Sequence, residues 1–138
     1  MSLTNRSQPA KRPPPPGSTL AVIRIALLTG VLMFGAVTYY VQRGGEWQQA
    51  DPDALATLRL VMLVTWVVAV LLLLVLRARL TRMREPAART VLIVAWAIGE
   101  AAALLGGVYY FLSGDPQWFI IGLFLMLASF ILFPIRRT

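Results

Sequence analysis

Glu100 carries the most chemical potential in this sequence, because it is the sole charged side chain between Arg89 and Asp115. The polar side-chain groups around it are few: Thr90, the Trp96 indole, the hydroxyls of Tyr109 and Tyr110, and Ser113. A carboxylate in such a run is costly in an apolar medium. It is therefore expected to face the interior of a helix bundle and to serve as a proton or ion site, or as a hydrogen-bonding group between helices. Two more charges, Arg24 and Arg59, stand inside other apolar runs. Each has two readings: its long side chain reaches back to the nearer membrane surface, or its guanidinium pairs with Glu100. Arg24 is the favoured partner, since Ala26-xxx-Gly30 beside it could bring its helix against that of Glu100. Trp96 lies one helical turn before Glu100 on the same face. Together with Trp66 it could wall a site for a cation.

Other chemistry is excluded by composition. The chain has no cysteine and no histidine, which removes disulfides, Cys or His zinc sites, iron–sulfur clusters and histidine-ligated haem. No nucleophile–base pair stands out, so catalysis would rest on Glu100 and arginines alone. The expectation is a chain without cofactor and without enzymatic activity.

The elements that hold these residues are written in the hydropathy. Apolar residues make up 58% of the chain, above the roughly 45–50% of soluble domains. The excess falls in four blocks, Leu20–Val41, Leu55–Leu76, Thr90–Leu112 and Trp118–Ile135. Each is close to the ~20 residues that a helix needs to cross a ~30 Å hydrocarbon layer. Val61–Leu76 offers only Thr65 and Trp66 as polar-bearing side chains, so no face of it suits water. The expected fold class is all-α, an integral membrane bundle of four transmembrane helices at about 20–41, 55–76, 90–112 and 118–135. These make one domain over residues 19–138, preceded by a disordered, proline-rich tail over 1–18 that ends in Pro13–Pro16 and Gly17.

The net charge of +7 reads by position as orientation and not as a nucleic-acid surface. Arg6, Lys11 and Arg12 precede the first block, Arg77, Arg79, Arg82, Arg84 and Arg89 follow the second, and Arg136 and Arg137 close the chain. The intervening connections hold Arg43 with Glu46, Asp51 and Asp53, and then Asp115 alone. The positive-inside rule places both termini and the arginine loop in the cytoplasm. Tyr39, Tyr40, Trp47, Tyr109, Tyr110 and Trp118 then fall at the outer surface as an aromatic belt. One lysine against twelve arginines, with abundant Ala and Leu, suggests a GC-rich bacterial genome and hence an inner membrane.

Ala95, Gly99, Ala103 and Gly107 recur every four residues around Glu100, a small-xxx-small stripe over which another helix backbone can approach closely. The first and third blocks also align without a gap, Val37-Thr38-Tyr39-Tyr40 over Gly107-Val108-Tyr109-Tyr110. That alignment suggests two duplicated hairpins. Shared flanking charges and interfacial tyrosines would produce the same likeness in unrelated helices.

The stretch Glu100-Ala101-Ala102-Ala103-Leu104-Leu105-Gly106-Gly107-Val108 resembles the carboxylate helix of the proteolipid, or subunit c, of rotary ATP synthases. Arg84-Glu85-Pro86 before it resembles that family's Arg-Gln/Asn-Pro cytoplasmic loop. The resemblance spans about 25 residues, with Leu71–Leu74 standing where the family has a glycine repeat. It implies that Glu100 carries a translocated ion. Two functions therefore stay open. One is a non-enzymatic structural or interaction subunit, a homo-oligomer or part of a membrane complex, associating through the third helix with Glu100 as interhelical glue. The other is a small proton-coupled transporter or ion-translocating proteolipid-like protein using Glu100.

Overall fold

A computed structural model describes residues 16–135. They form four α-helices and, among the described residues, no strand: α1 (Pro16–Arg43), α2 (Pro52–Leu80), α3 (Glu85–Ser113) and α4 (Gln117–Leu132). The helices α1, α2 and α3 are long and apolar enough to cross a membrane. The fourth has 16 residues, a rise of about 24 Å at ~1.5 Å per residue, which is short of a ~30 Å hydrocarbon layer. It stops at Leu132 instead of Ile135 because Pro134 has no N–H to give and disfavours helical backbone at Phe133, whose φ is −122°.

The first three helices outrun the apolar blocks. An arginine-bearing turn forms helix about as well as a leucine-bearing one, so α2 continues through Arg77 and Arg79 and α3 starts before Arg89. Proline is welcome in a helix's first turn, which lets α1 begin at Pro16 and α3 carry Pro86 near its start. Pro16, Gly17 and Ser18 are thus helical and not part of a tail, while residues 1–15, expected as disordered, lie outside the described residues. Asp51 caps α2, its Oδ1 accepting the Asp53 N–H at 3.1 Å, with Pro52 next in the chain. Gly114 ends α3 in the left-handed conformation, φ 78°, and its N–H returns to the Tyr110 carbonyl at 2.8 Å. This is the turn that glycine makes without steric penalty.

The third helix is the hub. It packs against α4 along nearly the whole length of α4, and against α1 and α2 on either side. A Cβ placed on Gly122 of α4 would stand 2.9 Å from the Ala102 carbonyl oxygen and 2.9 Å from the Ala103 Cα, and one on Gly106 would meet the Trp118 carbonyl oxygen at 2.6 Å. Backbone therefore touches backbone at the α3–α4 crossing, the arrangement that small residues permit in apolar surroundings. One buried cluster joins Val31, Leu92, Trp96, Met126, Phe130 and Phe133. A second joins Leu55, Met62, Trp66, Ala102 and Tyr109.

Only the second pair of helices is a packed hairpin. Among the described residues α1 and α2 share no extensive interface and each lies on α3. The aligned tyrosines also part company: Tyr40 is 81% exposed, while Tyr110 is 5% exposed. The two halves are thus not structurally equivalent, because α3 is covered on several sides where α1 is covered on one.

Candidate functional site

Glu100 is the sixteenth of the 29 residues of α3 and so stands at its middle. Its side chain is half-buried, on the boundary between two faces of the helix. Ala97 and Ala101 on one side are exposed, whereas Trp96, Ala103 and Gly107 on the other are covered by the rest of the chain. The carboxylate is at the rim of the bundle and not in its interior. Among the described residues, no side chain forms a hydrogen bond or ion pair with it.

Arg24 takes another berth. Its guanidinium carbon is 4.5 Å from the centre of the Phe130 ring and 6.0 Å from that of Trp96, a cation held by aromatic faces. The approach of α1 to α3 is not made by Ala26 and Gly30, which both point outward; a Cβ on Gly30 would meet nothing within 4 Å. It is made by Val31, which is fully buried, and by Phe34, whose ring lies against Gly107.

Trp96 is fully buried and its Nε1–H donates to the Phe133 carbonyl at 3.1 Å. It holds the end of α4, supplying a donor to one of the last carbonyls that a helix leaves unmatched. Trp66 does related work in the other half, donating to the Ala102 carbonyl at 3.0 Å. The two indoles belong to separate buried clusters, each with its N–H on a backbone carbonyl. Arg59 lies toward the opposite end of the molecule, its guanidinium carbon 4.8 Å over the Trp118 ring, and it does not meet the carboxylate.

The stripe of small residues is an internal surface. Gly99 faces Ser129 and Met126 of α4, Gly107 faces Phe34 of α1 and Phe119 of α4, and Ala95 and Ala103 are fully buried. The face of α3 still open beside Glu100 carries Ile93, Val94, Ala97, Ala101 and Val108.

Comparison with protein-family models, curated proteins and solved structures found no match. Functional inference therefore rests on this geometry, and the likeness of Glu100–Val108 to subunit c rests on those residues alone.

Sequence reasoning missed how the far end of α3 is closed. The Gln42 side-chain amide donates to the Tyr110 carbonyl at 2.8 Å, the Trp47 indole to Phe111 at 2.6 Å, and the Ala50 N–H to Leu112 at 3.0 Å. The Phe111 and Leu112 carbonyls left over at the helix C-terminus are thereby matched, the Tyr110 carbonyl gains a second donor beside the Gly114 N–H, and the end of α1 and the connection to α2 are strapped to α3. The polar Gln42 at the end of an apolar helix was the available signal. The expected aromatic belt is correspondingly reduced, because Tyr109 and Tyr110 are buried and Trp118 packs on Tyr109 and Trp66.

Proposed function

We propose that this chain is a small polytopic membrane subunit, without enzymatic activity of its own, that associates within the bilayer through the open face of α3 beside Glu100. The observation that carries this reading is the carboxylate itself, at mid-helix, only half-buried, with no partner among the described residues. Placing an acidic side chain at the centre of a membrane helix costs on the order of 3 kcal/mol on insertion scales. A donor from a neighbouring helix, at about 0.6–2 kcal/mol for an interhelical hydrogen bond, offsets a substantial part of that cost. Small residues at Ala97 and Ala101 leave room for such a helix to come close. The partner is a second copy or another membrane protein that presents a hydrogen-bond donor at the same depth.

The same reading takes the membrane to be a bacterial inner membrane, crossed four times, with both termini in the cytoplasm. It is supported by three helices of spanning length and by the exposed Arg77, Arg79, Arg82 and Arg84 at one end of the bundle, opposite Asp51 and Asp115. The short α4 is accommodated by local thinning of the bilayer or by its flanking residues, at fractions of a kcal/mol per ångström of mismatch.

The test is oligomeric state in a mild detergent, by native mass spectrometry. The native chain is expected as a homo-oligomer or with a co-purifying membrane protein, and the Glu100→Leu variant as a monomer. A monomeric native chain without partners contradicts the reading.

A further inference from the structure

The end of the molecule remote from the arginine loop holds a second polar site, independent of Glu100. An open hollow of about 590 Å³ lies between the connection before α2, the first turns of α2 and the far end of α3. Its lining includes Gln49, Leu55, Ala56, Arg59 and Tyr109. The polar side chains among these are a guanidinium, a phenol and an amide, and none is acidic. The Arg59 guanidinium stacks on Trp118 at 4.8 Å, and Trp118 meets the Tyr109 ring edge-on at 5.6 Å. The arginine is therefore held at a defined place, while its N–H groups make no hydrogen bond or ion pair among the described residues. Tyr109 is 8% exposed, and its hydroxyl is neither hydrogen-bonded to a described residue nor sealed from outside. Tyr109 is thus a lining residue of the hollow with an accessible hydroxyl. The nearest carboxylates along the chain, Asp51 and Asp53, sit at the exposed start of α2, and Asp51 is engaged with the Asp53 N–H.

Depth identifies the ligand. Arg59 and Arg77 bracket Leu60–Leu76, a run of 17 residues without a charge, which rises about 26 Å at ~1.5 Å per residue. This is close to the ~30 Å hydrocarbon thickness, so Arg59 stands at the boundary where phospholipid phosphates begin. Leu63 and Val67, one and two turns further along α2, are exposed and provide an apolar track for an acyl chain. We infer that this hollow binds the phosphate of a membrane phospholipid, with Arg59 and the Tyr109 hydroxyl as donors and Trp118 holding the guanidinium in place. Guanidinium suits phosphate because its planar fork offers two parallel donors.

The experiment is native mass spectrometry of the full chain in a delipidating detergent, titrated with dioleoyl phosphatidylglycerol, alone and against inorganic phosphate. A one-to-one lipid adduct is expected, reduced about tenfold or more in Arg59→Gln, consistent with the loss of a charge-assisted hydrogen bond. Tyr109→Phe keeps the ring packing and is expected to reduce the adduct several-fold, while Arg77→Gln at the other end of the same run leaves it unchanged. No adduct with the native chain, or equal adducts for the native chain, Arg59→Gln and Tyr109→Phe, overturns the proposal. Displacement of the lipid by inorganic phosphate overturns the assignment to a lipid in favour of a soluble anion.

Discussion

The guanidinium of Arg24 stands 4.5 Å from the centre of the Phe130 ring, and this contact between α1 and α4 holds the charge without using Glu100. A cation over an aromatic face contributes about 0.5–2 kcal/mol, more when water is excluded. In a double-mutant cycle, Arg24→Leu and Phe130→Leu are expected to couple by about that amount, whereas Arg24→Leu and Glu100→Gln are expected to be additive. Unfolding in mixed detergent micelles gives both numbers. Coupling of Arg24 to Glu100 above ~1 kcal/mol would show that the arginine serves the carboxylate.

The α3–α4 crossing sets a second expectation. A Cβ on Gly122 meets backbone at 2.9 Å, but one on Gly30 meets nothing within 4 Å. Gly122→Ala is therefore expected to destabilise the chain by about 1–3 kcal/mol, the usual cost of overpacking, and Gly30→Ala to be neutral or stabilising. Gly107→Ala falls between them, because the atoms it meets belong to the side chains of Phe34 and Phe119, which can shift. The same micelle unfolding ranks the three.

Trp96 and Trp66 fasten helices through their indole N–H groups. Replacement by phenylalanine keeps most of the ring and removes the donor, so each variant is expected to lose about 0.6–2 kcal/mol. For Trp96→Phe the loss falls at the end of α4, and hydrogen exchange there is expected to quicken first. Uniform exchange in both variants would remove the fastening role.

Absence of native cysteine makes orientation simple to measure. Single cysteines at Thr81 and at Gln48 are expected to react with a membrane-impermeant maleimide from opposite sides, Thr81 from the cytoplasm and Gln48 from outside. Reaction of both from one side would contradict the crossing pattern.

Much of the fold was legible because long apolar runs dictate long helices, three of them of membrane-spanning length, whatever their neighbours. The partners of each helix were not, since lipid tails are as apolar as leucine and a buried face looks like a lipid-facing one. The stripe Ala95, Gly99, Ala103, Gly107 illustrates the limit. Steps of four residues turn about 40° around a helix of ~3.6 residues per turn. The row therefore drifts around α3, from Gly99 facing α4 to Gly107 also reaching Phe34 of α1. The closest backbone crossing touches the row at Ala103 alone and otherwise lies beside it, at Ala102 and Gly106, against Gly122 and Trp118. Glu100 was visible as the unusual charge, but its place at the rim depends on where α1 and α4 lie, which no local pattern encodes.

Its exposure makes the stability effect of Glu100 opposite to its functional one. In the isolated chain no described side chain depends on the carboxylate, so Glu100→Leu is expected to stabilise the monomer by about 1–3 kcal/mol while weakening association. Glu100→Gln keeps a hydrogen-bonding group and is expected to retain part of the association. A carrier role predicts a different split, with pH-driven uptake into proteoliposomes lost in Glu100→Gln and oligomeric state untouched.

The most direct measurement is photo-crosslinking in native membranes from a benzophenone side chain at Ala101, which is exposed beside Glu100, with Val67 on the outer face of α2 as control. A discrete protein adduct is expected from position 101, absent from position 67 and lost when Glu100 is replaced by leucine. Adducts with lipid alone at position 101, or a protein adduct indifferent to Glu100, would contradict the account.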